Sequence, residues 1–143
     1  MALNQYTELF FLDEVTALAA GHRPCFECRR KAASAFANAW ASAFGLEKRP
    51  LVAEMDKVLH TQRLNGRAKR THRRDFAELP AGAMVQRGSD LIAKTPNGAM
   101  LWSFGGYMPT KDITGEVTCL TPPAILSVLN EGYAPIWHPT ADV

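Results

Sequence analysis

Apolar residues recur at every fourth position after Pro24: Cys28, Ala32, Phe36, Trp40 and Phe44, with helix formers between them and Gly45 beyond. That spacing predicts a long helix with one apolar face, opened by a proline suited to the first helical position and closed by glycine. A second helical pattern runs from Leu51 to Arg63, puts Val52, Met55, Val58 and Leu59 on one side, and stops at Asn65-Gly66. The two should meet, burying Phe36, Trp40 and Phe44 against Met55 and Leu59. Upstream, Tyr6 to Leu12 reads as a short strand. Asp13 then caps a short helix over 14–20, and Gly21 closes it.

The period changes in the second half. Ala83 to Arg87, Leu91 to Thr95 and Ala99 to Phe104 are short extended runs, separated by Gly88-Ser89-Asp90 and Pro96-Asn97-Gly98. Asn-Gly between such runs predicts a hairpin, so the three form a meander, and Glu116 to Leu120 is expected to join their sheet with Cys119 in the core. A short helix follows near the C-terminus, and its exit repeats an earlier one. Leu18-x-x-Gly21-His22-x-Pro24 lines up with Leu129-x-x-Gly132-Tyr133-x-Pro135. The repeat suggests that in each copy glycine lets the chain leave its helix and the following ring packs on the core. The fold class is therefore α+β: an N-terminal strand and helices packed with a small antiparallel sheet in the second half. One domain over 1–143 is expected, mainly helical over 1–66 and mainly β over 67–143.

Composition narrows the class. With 47% hydrophobic and 21% charged residues, the chain is that of a globular protein. It has no apolar run of about 18 residues and no basic-then-apolar leader pattern, so a cytoplasmic protein without a membrane partner is expected. Three cysteines, an odd number, argue against a disulfide framework. The net charge of +2 is too small to imply nucleic acid by itself, but its distribution is uneven. The segment Arg63 to Arg74 carries six cationic side chains, Arg63, Arg67, Lys69, Arg70, Arg73 and Arg74, with His72 and no acid.

Chemistry concentrates at Gly21-His22-Arg23-Pro24-Cys25-Phe26-Glu27-Cys28-Arg29-Arg30. Two thiols separated by two residues converge where the chain turns, and a helix N-terminus favours thiolate. Three readings remain open: a metal site at Cys25 and Cys28, a redox pair, and two small residues at a helix cap. Structural zinc takes four ligands, and Cys119 is far along the chain, so the visible set is incomplete. On the second helix Asp56, His60 and Arg63 share a face, which reads either as acid, base and anion clamp or as a solvated surface. The turn Ser103 to Tyr107, flanked by Trp102, allows close backbone approach to a ligand, and it is equally ordinary loop chemistry. His138, between Trp137 and Pro139, is placed to fold back towards the cysteines.

The stretch Phe11 to Arg29, with its Gly-His-Arg-Pro-Cys-x-x-Cys core, resembles the second half of the zinc-binding module of the Ada methyl-phosphotriester repair protein. In that family an earlier cysteine pair completes the zinc shell, and this chain has no cysteine before Cys25. The whole chain is also similar to an uncharacterised bacterial family sharing Tyr6 to Glu14, Leu59-His60, Trp102-Ser103, Gly105-Gly106-Tyr107 and the segment from Gly132-Tyr133 to His138-Pro139. Members of that family carry additional residues upstream, so the resemblance implies a short member or a late start.

Two functions from different classes follow as expectations. In the first, the chain is a non-catalytic nucleic-acid-associated module with a degenerate zinc-type knuckle at Cys25 and Cys28. Its phosphate contacts would be Arg67, Lys69, Arg70, Arg73 and Arg74. In the second, it is a small enzyme or ligand-binding protein whose pocket gathers His60, Arg63, Trp102 and Tyr107.

Overall fold

In the computed structural model, which describes residues 12–143, the fold is α+β, with helices first, an antiparallel sheet next and a helix near the end. The strand expected over Tyr6 to Leu12 falls outside the described residues but for Leu12. The chain runs through α1 (Glu14–Ala19), α2 (Arg30–Ala43) and α3 (Val52–Arg63), then a small hairpin of β1 (Leu64–Asn65) and β2 (Ala68–Lys69). Next come β3 (His72–Asp75), β4 (Met84–Arg87), β5 (Asp90–Thr95), β6 (Gly98–Ser103), β7 (Gly106–Pro109), β8 (Glu116–Cys119) and α4 (Pro123–Asn130).

Asp13 caps α1 as its position suggests. Its carboxylate accepts the Thr16 N–H at 3.0 Å, while the Thr16 hydroxyl accepts the Asp13 N–H at 3.2 Å. Helix α1 ends at Gly21 with φ 88°, where the His22 N–H donates to the Ala17 carbonyl at 3.0 Å. Helix α4 ends the same way at Gly132 with φ 96°, the Tyr133 N–H reaching Val128 at 3.4 Å. The sequence repeat is thus a repeated helix exit, in which glycine takes the left-handed conformation that other residues resist. The rings diverge afterwards: Tyr133 is buried and His22 is exposed.

Helix α2 corrects one expectation. It begins at Arg30 rather than Pro24, because residues 25–29 form a separate turn closed by the Arg29 N–H on the Cys25 carbonyl at 2.8 Å. Its buried residues are Ala33, Phe36, Ala37, Trp40 and Ala41, an i, i+3, i+4 pattern. A strict fourth-residue stripe drifts by about 40° per step around an α-helix, so its two ends cannot stay on the face its middle buries. Phe44 is accordingly 47% exposed, and Cys28 lies outside the helix on the surface.

The main sheet has the order β3-β8-β4-β5-β6-β7, antiparallel throughout. The meander is present, and Glu116–Cys119 enters the sheet between β3 and β4, with Cys119 fully buried. Two hairpins go beyond the sequence reading. Gly66-Arg67 turns β1 into β2, so Asn65-Gly66 does more than stop α3, and Phe104-Gly105 turns β6 into β7. Successive strand residues point to opposite faces, and both faces are covered. Met84, Leu91, Ala93, Met100 and Trp102 pack under Val15 and Ala19 of α1, whereas Val85, Ile92 and Val117 pack with Phe76, Leu79, Ile113 and Leu126.

Helix α4 joins the two halves. Leu126 faces the sheet, while Ala124, Ile125, Val128 and Leu129 pack with Phe36, Trp40, Met55 and Leu59. The aromatic stripe of α2 therefore meets α3 only as part of a cluster that α4 shares. Among the described residues no helix is long and apolar enough to cross a membrane.

Candidate functional site

The turn Cys25 to Cys28 stands between the exit of α1 and the start of α2, and both thiols are exposed. The backbone N–H groups of Cys28 and Glu27, then the neighbouring Cys28 side chain, draw Cys25 below the ordinary thiol range, and the proximity of Cys25 pushes Cys28 up. Of the two, Cys25 is the thiol more readily deprotonated.

Cys25 opens onto a groove of about 490 Å³ whose other walls are Gly21, His22 and Arg23 on one side and Asp56, Leu59, His60 and Arg63 of α3 on the other. The shared face of Asp56, His60 and Arg63 read from the sequence is thus one wall of a concave surface. Asp56 is engaged across it, accepting Arg23 Nε at 2.6 Å and Nη2 at 3.0 Å. Arg63 is placed differently. Its aliphatic stem lies so close over Gly21 that an added Cβ there would fall 2.7 Å from Cδ, and its Nε is buried with no hydrogen-bond partner. Partial enclosure by the groove first, then the charges of Arg63 and Lys69, hold the otherwise exposed His22 below the ordinary imidazole range. Arg23 and Asp56 offset each other, which leaves Arg63 as the other arginine on the groove wall.

A buried carboxylate ties the turn to the body of the protein. Glu14, the first residue of α1, has a side chain only 6% exposed. Both its oxygens are held by Arg29, at 3.1 Å each, the residue directly after the cysteine turn. The Tyr133 hydroxyl donates to Oε2 in a short hydrogen bond, and the Ile136 N–H donates to Oε1 at 2.8 Å. Burial, then Glu14 itself, pushes the Tyr133 phenol up, so it stays a donor. The sequence offered no sign of this. Glu14 reads locally as an acid suited to a helix start, and its partners are 15, 119 and 122 residues away.

The basic segment is not one strip. Lys69 is turned inward, its ammonium donating to the Ala19 carbonyl at 2.6 Å, and burial pushes it down to about 8. Arg70 donates to the Leu64 carbonyl at 3.1 Å. Arg73 and Arg74 are neighbours on β3 and so leave opposite faces of the sheet. Arg73 pairs with Glu116 at 2.9 Å and bonds Thr118 at 2.8 Å, and Arg74 bonds His72 Nδ1 at 2.9 Å. Arg67 is exposed beside the β1–β2 turn.

His72 supplies a pH test. Its Nε2–H donates to the Thr121 carbonyl at 2.8 Å and its Nδ1 accepts from Arg74, so the ring is neutral with both nitrogens used. Burial holds its pKa below the ordinary 6.5, with Arg74 and Lys69 acting in the same direction and the Thr121 bond opposing. The unfolded chain therefore takes up this proton first as pH falls. Stability from His72 is intact above about pH 6.5 and is lost as pH drops through that value towards the folded pKa. Thermal melts at pH 7 and pH 5 should show a lower Tm at pH 5, and His72→Gln should shrink the difference.

The other candidates lie elsewhere. Trp102 and Tyr107 are buried under α1 with Met84 and Leu120, Tyr107 packs on Trp137 with ring centroids 5.6 Å apart, and neither lines the groove. The expected pocket of His60, Arg63, Trp102 and Tyr107 is thereby split: the first two line the groove, and the last two belong to the core. His138 folds back to the start of α1, its N–H donating to Asp13 at 2.9 Å, and it does not line the groove.

The zinc expectation meets an incomplete donor set. Among the described residues no three His, Cys, Asp or Glu side chains are gathered where they could hold a metal ion, and Cys119 is buried with its thiol towards the Thr121 carbonyl. Two thiolates fall short of the four ligands of structural zinc. Comparison with protein-family models, curated proteins and solved structures finds no match.

Proposed function

We propose that the chain is a ligand-binding protein, with the capacity of a small thiol enzyme, whose groove holds an anionic small molecule against Cys25. The observation that carries this reading is Arg63, whose Nε has no hydrogen-bond partner, on the wall of a groove that the exposed Cys25 also lines. Buried donors in native proteins are nearly always satisfied, and an arginine presents several N–H groups in a fixed fork suited to carboxylate or phosphate. His22 and His60 add imidazoles to the same walls. The basic segment gives a nucleic-acid reading less support, since Lys69 is turned inward and Arg73 is paired with Glu116.

A pair of alkylating probes tests this. Iodoacetate and iodoacetamide differ in charge and little in size, so their rate ratio on one thiol reports the local field. In the Cys28→Ser protein, Cys25 is left as the one exposed thiol, because Cys119 is buried and burial pushes it up to about 11. The ratio of iodoacetate to iodoacetamide rates should be about tenfold higher in the folded protein than in urea, which corresponds to ~1.4 kcal/mol of preference for the anion. Arg63→Met, which keeps the stem over Gly21, should abolish the preference, and Arg63→Lys should restore part of it. Equal ratios folded and unfolded would remove the anion subsite.

A further inference from the structure

We infer that Cys25 and Cys28 act as a dithiol that exchanges with a carboxylate-bearing low-molecular-weight disulfide bound in the groove, closing to an intramolecular disulfide. This rests on the anion-binding reading above and names its substrate class. The geometry that carries it is local. Both cysteines are exposed, they sit three residues apart, and the turn that holds them is closed at 2.8 Å by the Arg29 N–H on the Cys25 carbonyl. A turn of this kind sets residues three apart close to the Cα separation a disulfide spans, about 5.5 Å. Cys25, not Cys28, lines the groove, so the substrate meets Cys25 first.

The exchange balances without another reactant. The Cys25 thiolate attacks one sulfur of RS–SR, the substrate S–S bond breaks, and RS⁻ leaves with the electron pair. Cys28 then attacks the Cys25 sulfur of the mixed disulfide, a second RS⁻ leaves, and the Cys28 proton ends on a departing thiolate. Two electrons pass from the protein to the substrate. One disulfide forms in the protein, and one RSH and one RS⁻ are released, the RSH carrying the Cys28 proton and the RS⁻ taking a proton from water. Arg63, on the wall of the same groove, would hold a carboxylate of R through its guanidinium.

Oxidised glutathione is the probe for a carboxylate-bearing disulfide, and 2-hydroxyethyl disulfide is the neutral control. The full-length protein is incubated with each, quenched in acid, and read by peptide mass spectrometry. Wild type should form the Cys25–Cys28 disulfide with both, and the folded-to-unfolded rate ratio should be about tenfold larger for glutathione. Cys28→Ser should stop at a glutathione adduct on Cys25, and Cys25→Ser should form neither product. Circular dichroism confirms that these surface variants fold. Equal relative rates for the two probes would overturn the carboxylate assignment while leaving the dithiol step. Failure of either probe to yield an intramolecular disulfide, or of Cys28→Ser to trap an adduct, would overturn the exchange itself. The alkylation ratio would still report on the groove, so the two readings fail separately.

Discussion

Replacing Trp40 by alanine should lower folding stability by about 3–5 kcal/mol, read as a drop in the urea midpoint with an unchanged slope. The ring is 5% exposed and sits in the cluster where α2, α3 and α4 converge, 6.2 Å from Phe36 by ring centroids. Deleting it removes apolar area from the one place where all three helices meet, and a packed interior relaxes only partly into the space. Phe44, one turn further along, touches Trp40 at 5.3 Å but is 47% exposed. Phe44→Ala should therefore cost under about 1.5 kcal/mol. A Trp40→Ala loss no larger than the Phe44→Ala loss would show that α2 is not anchored through this ring.

The contrast between those two positions shows what the sequence could convey. Local signals were readable: the Asp13 cap, the Gly21 and Gly132 exits and the hairpin at Pro96-Asn97-Gly98 all follow from a few neighbouring residues. Whether a residue is covered depends on what arrives from far away. α4 was legible as a short helix but not as the layer between helices and sheet, because nothing in Pro123–Asn130 says which of its apolar sides meets Phe36 and which meets Val117. The same limit applies to the site. Cys25, Cys28, His60 and Arg63 were named from spacing and chemistry, and three of the four line one groove. The ion pair that closes its wall joins Arg23 to Asp56 across 33 residues, and no pattern within either segment announces it. Trp102 and Tyr107 misled for a physical reason: Gly105-Gly106 beside aromatics signals close backbone approach, and the partner approaching Gly106 is the side chain of Thr140, not a ligand.

Glu14→Ala should destabilise the protein by about 3–5 kcal/mol and slacken the cysteine turn as well. The carboxylate accepts from Arg29, Tyr133 and Ile136, so removing it strands a buried hydroxyl and a backbone N–H, each costing about 1–3 kcal/mol. The ion pair adds less than a fully buried one would, because the Arg29 side chain is 35% exposed and can turn to water. Glu14→Gln keeps the shape and one acceptor oxygen, and should cost about 1–3 kcal/mol. Tyr133→Phe isolates the hydroxyl. Its cost should fall by at least about 1 kcal/mol when measured in the Glu14→Ala background, since the bond it removes is already gone. Additive losses in that cycle would mean Tyr133 and Glu14 are not coupled. The second readout links the brace to the chemistry. Arg29 is the residue whose N–H closes the turn on the Cys25 carbonyl, so freeing its side chain should loosen the turn whose backbone draws the Cys25 thiol down. The pH at which Cys25 reaches half its maximal alkylation rate should then move up towards that of an ordinary thiol in Glu14→Ala, under conditions where the variant remains folded. An unmoved midpoint together with the full stability loss would confine Glu14 to holding the fold, with no part in setting the thiol.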